Sequence, residues 1–384
     1  MDPIAYPLAV KAPPNLETPA VIVDRQILQA NIGAMQQVAR QADLNLRPHI
    51  KTHKSITIAR QQMAAGAVGI TASKVDEALV FIEAQLPSVT LAYPQLVAVK
   101  LDRLLAAAGR HGCDLRLIVD SPEGVRLLAA RAAALGIRPG VFIKIDVGLH
   151  RCGCQPDDPL VFSLAQTIHG TAHLDFRGLL SHAGQAYGAA DAVAAAQMAE
   201  AEREIMTTLA ASLRRTGCEV PEVSVGSTPT VLSTREFEGL TEIRPGNYVF
   251  MDQTPLRLGL ITPRQIALSV LTTVVSTNAH YAITDAGAKT LSSDRGAHGT
   301  TGIEGYGVAF RLDDPAGLPV PLTVAKLSEE HGFIIAGAHR LKPGDRLQIF
   351  PNHACPVVNL ARELAVLDGP SMDVYAVDAA GCVR

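Results

Sequence analysis

The sequence predicts a (β/α)8 barrel followed by a C-terminal antiparallel β-domain. Two observations carry this. Eight short β-branched or apolar runs recur, most followed by a longer amphipathic stretch, and they fill about 230 residues, the count and size of such a barrel. After about residue 262 the texture changes to short strands split by Gly, Pro and Asp turns, with little helical periodicity.

The strand candidates, in order, are 44–50, 67–73, 89–94, 114–121, 141–148, 175–184, 222–228 and 241–249. Between them, "KVDEALVFIEAQ" (74–85) and "SPEGVRLLAARAAAL" (121–135) place apolar residues at i, i+3 and i+4, and 193–215 reads as a long Ala-rich helix. Alternating strand and helix implies a parallel sheet. A doubly wound open sheet is the rival, weakened by the lack of a G-x-G-x-x-G turn after an early strand. Residues 20–262 are therefore expected to form the barrel. Residues 263–384, with 1–19 packed on them, are expected to form the β-domain, through "IALSVLTTVVSTN", "YAITDAG", "PVPLTVAKLS", "GFIIAGA", "DRLQIFPNH" and "MDVYAVD".

Composition narrows the function. Of 384 residues 48% are hydrophobic and 18% charged, so a large core is easily buried. The net charge is −3 with no basic block, and there is no Trp, which argues against nucleic acid and against anionic membrane surfaces. No apolar run reaches about 18 residues, and the N-terminus lacks a signal-peptide pattern. Six cysteines spread over the chain are cytosolic usage rather than a disulfide framework. A cytoplasmic protein that binds neither membrane nor nucleic acid is expected.

In a barrel, chemistry belongs at the C-terminal ends of the strands. The unusual polar residues gather there. The first strand ends in His49 and Lys51, within "RPHIKTHKS". The fifth leads into Asp146, His150 and Arg151, the sixth into His182 and Tyr187. The seventh ends in Gly226, Ser227 and Thr228, the eighth in Arg244, Gly246, Asn247 and Tyr248. Glycine turns with Ser/Thr hydroxyls at the last two strand ends can cradle a phosphate. A lysine in the same pocket fits a Schiff base to pyridoxal 5′-phosphate (PLP), because His49, His53 and Lys54 as neighbours favour its neutral form. The competing reading is a solvated basic turn. In "PNHACPVVN", His353 and Cys355 lie two apart, so on a strand both face one side and suit Zn2+ or a similar divalent ion. The pair Cys152 and Cys154 reads as turn cysteines.

Together, "RPHIKTHKS", "VGSTPT", "EIRPGNY" and "PNHACP" resemble the D-serine dehydratase / D-threonine aldolase family, whose PLP enzymes have an alanine-racemase-type barrel and a C-terminal β-domain. The resemblance covers nearly the whole chain and is nearest to the bacterial D-threo-3-hydroxyaspartate dehydratases. It implies Lys51 as the PLP lysine, Arg151 near the cofactor's phenolic oxygen, His182 stacked on the ring, Tyr187 lining the pocket and Arg244 at the ring nitrogen. Ser227, Thr228, Gly246 and Asn247 would hold the phosphate, with Gly226 and Tyr248 adjacent. His353 and Cys355 match the family's metal pair, with Zn2+ first and Mn2+, Mg2+ or Co2+ as alternatives.

The resemblance implies a dehydratase that converts D-serine, D-threonine or D-threo-3-hydroxyaspartate to a 2-oxo acid and ammonia. Its H-x-C pair favours this over the aldolase alternative, where H-x-D is usual. In that alternative His53 would be the base, and glycine and an aldehyde the products. A racemase or a non-catalytic PLP-binding protein is a further alternative. A homodimer is implied. An acidic substrate would want an extra cation, with Lys54, Lys289, Arg295 and His298 as candidates. The Gly- and Ser-rich stretch 287–307 is expected to be an active-site loop.

Overall fold

The computed structural model describes residues 6–7, 13, 15–300, 302–312, 320–335 and 341–384. The remainder of the stretch 1–19, and parts of the runs expected as strands near 319 and 336–338, lie outside the described residues.

The chain first forms β1 (Ala20–Asp24) and α1 (Arg25–Gln41), with the Asp24 side chain capping the helix at Ile27 N. Then strands and helices alternate: β2 (Asn45–Leu46), α2 (Ile56–Ala65), β3 (Ile70–Ala72), α3 (Val75–Glu83), β4 (Ser88–Leu91), α4 (Ala98–His111), β5 (Asp114–Val119), α5 (Pro122–Leu135), β6 (Gly140–Lys144), α6 (Leu160–His169), β7 (Asp175–Leu180), α7 (Ala192–Arg215), β8 (Glu222–Val225), α8 (Thr228–Ser233), β9 (Glu242–Ile243) and α9 (Gln253–Arg257). Local chemistry explains the boundaries. For α5, Ser121 caps Gly124 N, Pro122 opens the first turn, and Gly136 closes the helix at φ 65°.

All eight strands β2 to β9 are parallel, in the order β2-β9-β8-β7-β6-β5-β4-β3. The two end strands meet: Val68 N donates to Leu46 O and Thr71 N to Pro48 O, beside a His49–Thr71 bridge. Every observed strand overlaps its expected stretch.

Alternate residues of the strands point inside. One end of the interior is an ionic layer. Arg47, 1% exposed, donates to Glu242 Oε2 at 2.7 Å and Ser88 Oγ at 2.7 Å, and Arg116 reaches Glu222 at 2.8 Å. A Cβ on Gly69 would lie 2.1 Å from the Arg47 guanidinium, so only glycine fits there. Ile118, Phe142 and Leu180 form an apolar layer above it. Two residues on from Phe142 and Glu242 stand Lys144 and Arg244, at the C-terminal end.

The second sheet contains β10 (Leu268–Thr277), β11 (Ala282–Thr284), β12 (Gly307–Arg311), β13 (Leu322–Leu327), β14 (Gly332–Ile335), β15 (Arg346–Pro351), β16 (Glu363–Asp368) and β17 (Ser371–Ala376). The order β11-β14-β13-β12-β15-β10 closes on itself through β10–β11 pairing, giving a small barrel. Two short helices interrupt it, α10 (Ala288–Leu291) and α11 (Ala354–Leu360). Two details differ from expectation. β1, inside the stretch expected for the parallel barrel, pairs instead with β10 and β16 of this sheet. Its pairing with β16 is parallel, so the domain is not wholly antiparallel. β1 has three buried residues in succession, which two flanking strands help to cover. β12 and β16 were not expected, since one follows a glycine-rich stretch and the other a short helix. Among the described residues no helix is long and apolar enough to cross a membrane.

Replacing Arg47 with Ala leaves the buried Glu242 carboxylate without its nearest cation. Urea unfolding is expected to show a loss of about 3–5 kcal/mol; a loss under about 1 kcal/mol would contradict the account of the barrel floor.

Candidate active site

After β2, Pro48 and His49 continue extended backbone, and Ile50–Thr52 make a single 3-10 turn anchored by the fully buried Ile50. The four basic residues of this stretch then part. His49 and Lys51 line a pocket at the C-terminal end of the parallel strands. His53 turns away: its Nε2 meets Gln62 Oε1 at 3.2 Å and its Nδ1 accepts from Ser55 N at 3.1 Å. Lys54 adopts φ 50° and pairs with the buried Glu77 at 2.8 Å. The structure therefore does not bring His53 to the other candidates.

The pocket is completed by Ala92, Lys144, Arg151, Leu180, His182, Gly226 and Arg244. Burial depresses the Lys51 pKa; Cys355 opposes this and Arg151 adds to it. Burial and Arg244 bring Lys144 down to about 8, and burial brings Arg244 to about 10. Arg244 is fixed by donating to Ser224 Oγ and Ser181 O. Arg151 is presented by a turn that Asp146 builds, accepting from Gly148 N and His150 N at 3.0 Å each. His150 itself bonds back to Asp146 Oδ2 at 3.0 Å. Cys154 pairs with Ile145 as a β-bridge, so Cys152–Cys154 is a turn closure.

His182 Nδ1 lies 3.1 Å from Gly226 O, while its Nε2 is buried without a partner. Burial and the Lys51 charge push its pKa well below the usual range. Behind it, the buried Glu202 accepts from Ser181 Oγ at 2.6 Å and Ala183 N at 3.1 Å, holding the strand end. Tyr187 is buried, with its phenol raised by burial and bonded to Thr228.

The two glycine turns lie side by side. Ser227 caps α8, and the Thr228 hydroxyl accepts from Tyr248 N at 3.0 Å. A Cβ on Gly246 would lie 2.8 Å from His49 O, so the turn sits directly against the lysine stretch. Several side chains expected at a phosphate are already engaged. Asn247 donates to Asp252 at 2.6 Å, Tyr248 accepts from Gln62 at 2.9 Å, and Ser227 donates to Ala183 O at 3.2 Å. By contrast, the backbone N–H groups of Thr228, Gly246 and Asn247 donate to no described protein group.

His353 and Cys355 arrive from the other domain. They sit on a strand-to-helix junction rather than on a strand: His353 precedes α11 and Cys355 lies in its first turn. The Cys355 thiol donates to Thr52 Oγ1 at 3.3 Å, one residue from Lys51. Beside His353, the thiol pKa is lowered against its burial. Of the stretch 287–307, His298 packs by the pocket, its ring 5.8 Å from that of His182 and 5.4 Å from that of Tyr187. The other candidate cations are occupied elsewhere: Lys289 pairs with Glu329 and Glu330, and Arg295 lies over Tyr306. Sequence reasoning missed Lys144 and Asp294. A lysine in the apolar run "VFIKIDVG" was the available signal for the first.

A parallel β/α sheet with a part-buried lysine after its first strand, closed by a β-domain, defines an alanine-racemase-like protein. The chain belongs to the alanine racemase N-terminal domain family over residues 23–254, and a serine dehydratase domain matches 267–367. It is 38% identical over 353 residues to D-threo-3-hydroxyaspartate dehydratase of Delftia sp. (strain HT23), covering 89% of this chain and 91% of that one. D-threonine aldolase of Arthrobacter sp is 29% identical, covering 96% and 94%, and D-serine dehydratase of Dictyostelium discoideum 28%, covering 89% and 91%. The solved Delftia enzyme superposes with a TM-score of 0.87 at 37% identity, over 94% of this chain and 97% of that one. Further structures of that enzyme carry alanine for a cysteine, in the metal-free form, and alanine for a histidine two residues earlier. His353 and Cys355 have the same order and spacing.

The buried imidazoles set a pH dependence. Burial holds His53 at about 3 against the usual 6.5, so below pH 6.5 the unfolded chain binds a proton that the folded chain does not. Its contribution is complete above pH 6.5 and is lost as pH falls towards 3. Between pH 6.5 and 5, the parent is expected to lose up to about 1.4 kcal/mol per pH unit more than His53→Asn in urea unfolding. Equal slopes would contradict a neutral buried His53.

Proposed function

We propose that this protein is a PLP- and metal-dependent dehydratase that converts D-3-hydroxy amino acids to 2-oxo acids and ammonia. The observation that carries the reading is the Cys355–Thr52 contact, which sets a His–Cys pair beside the turn of a part-buried lysine whose pKa burial lowers. The similarity to the Delftia dehydratase makes D-threo-3-hydroxyaspartate the leading substrate, with D-serine and D-threonine as alternatives. A cytoplasmic homodimer belongs to the same reading.

The residues fit both groups. The unpartnered His182 Nε2, the cations Lys144, Arg151 and Arg244, and the free N–H groups of Thr228, Gly246 and Asn247 suit an anionic heteroaromatic phosphate. Lys51 would hold PLP covalently, with His182 on its ring face, Arg151 and Arg244 at its ring substituents, and Tyr187 closing one side. Gly226, Ser227, Thr228, Gly246, Asn247 and Tyr248 would surround the phosphate, through backbone more than side chain. A thiolate and an imidazole suit Zn2+. When bound, PLP supplies an electron sink for charge at the substrate's Cα, and the divalent ion supplies a Lewis acid at the β-hydroxyl.

The chain's own residues do the rest. Lys51 Nζ, freed when the substrate's amino group takes its place and with its pKa lowered by burial, takes the Cα proton. Arg244, clamped by Ser224 and Ser181, presents a fixed cation rather than a proton acceptor. His353 and Cys355 anchor the leaving-group side from the opposite domain. Loss of the Cα proton and β-hydroxyl, followed by hydrolysis, gives the oxo acid and ammonia. An aldolase needs a base at the β-hydroxyl instead. His53, the base that alternative would use, is fully buried with both ring nitrogens engaged, which favours the dehydratase.

Lys51→Ala is expected to abolish the visible absorbance of bound PLP, and His353→Ala to retain it while turnover falls about a hundredfold or more. A persisting PLP band in the first variant, or full turnover in the second, would overturn the corresponding assignment.

A further inference from the structure

Asp294 lies in the stretch 287–307, outside the residues expected at the metal. Its Oδ2 sits 2.8 Å from His353 Nδ1. Its Oδ1 accepts from Gly296 N at 3.0 Å, and its own N–H donates to Ser292 Oγ at 3.1 Å. The carboxylate is thus fixed from within its loop, with one oxygen left for the imidazole. The next pair along is joined as well: Asn352 Nδ2 donates to Arg295 O at 3.2 Å and to Gly305 O at 3.0 Å. Residues 294 and 295 are therefore stitched to 353 and 352 in succession.

An imidazole binds a metal only through a nitrogen that carries no proton, and it has two. A carboxylate on Nδ1 keeps the proton there, leaves Nε2 as the donor, fixes the ring's direction and raises the basicity of Nε2. Asp294 is not itself placed as a third ligand, since no group of three His, Cys, Asp or Glu among the described residues is arranged to hold a metal. Its side chain is 41% exposed, so it fills no core volume.

We propose that Asp294 is the positioning residue for the metal, accepting Nδ1–H from His353 so that Nε2 is the ligand. This rests on the metal reading of His353 and Cys355, and the experiment separates the two. PLP-loaded, chelator-treated parent, D294A, D294N and C355A proteins are titrated with Co2+, following the near-ultraviolet thiolate-to-cobalt band. The parent is expected to develop the band and C355A to lack it. D294A is expected to reach the same band with about 10- to 100-fold weaker Co2+ affinity. D294N, which keeps an acceptor oxygen, is expected to fall between. An unchanged PLP band in the variants confirms that the fold is kept. Affinity within about twofold of the parent in both D294A and D294N would overturn the role of Asp294 while leaving the metal pair intact. No thiolate band in the parent would overturn the metal reading, and this proposal with it.

Discussion

The site depends on one buried carboxylate. Asp252, 1% exposed, accepts from Asn247 in the last glycine turn of the parallel barrel at 2.6 Å and from Ala354 N at the start of α11 at 2.9 Å. It also caps α9 through Thr254 N at 3.0 Å, and the Thr254 hydroxyl donates to Asn352 O at 3.1 Å. Ile50, beside Lys51, and Ala354, between His353 and Cys355, pack in different hydrophobic clusters. Asp252 spans the seam between them. Burying a carboxylate is costly, and these donors offset the cost only in this arrangement of the two domains. That makes the joint specific as well as tight.

The barrel interior explains the pocket's electrostatics. Its floor is a closed ionic layer, Arg47–Glu242 and Arg116–Glu222, separated from the pocket by an apolar layer. Above that layer the charges are unbalanced. Lys51, Lys144, Arg151 and Arg244 face one small space, and Glu202 and Glu242 lie behind Arg244 as buried counter-charges. Burial and mutual repulsion drive the lysines towards neutrality and keep His49 and His182 uncharged. A cationic pocket whose lysine pKa values are lowered suits an anionic ligand.

Much of this was legible in the sequence because it follows from period and position. The strand–helix alternation is local, and the polar residues after each strand had to gather at one rim. The roles within the rim were less legible. Nothing in "RPHIKTHKS" says that the chain reverses at Lys54 through a positive φ and sends His53 behind the wall. Spacing alone put His353 and Cys355 on one face of a strand, whereas a helix begins between them. Asn247 and Tyr248 looked like phosphate side chains, but Asp252 and Gln62 claim them through contacts set by tertiary packing. Asp294 had no local signal, because its partner lies 59 residues away on another element.

The most direct test is to incubate the PLP- and metal-loaded protein with D-threo-3-hydroxyaspartate, D-serine and D-threonine, and to assay 2-oxo acid, ammonia and glycine with and without a chelator. The account predicts oxo acid and ammonia in equal amounts from at least one substrate, lost on chelation. Glycine with an aldehyde, or no product from any of the three, would contradict it.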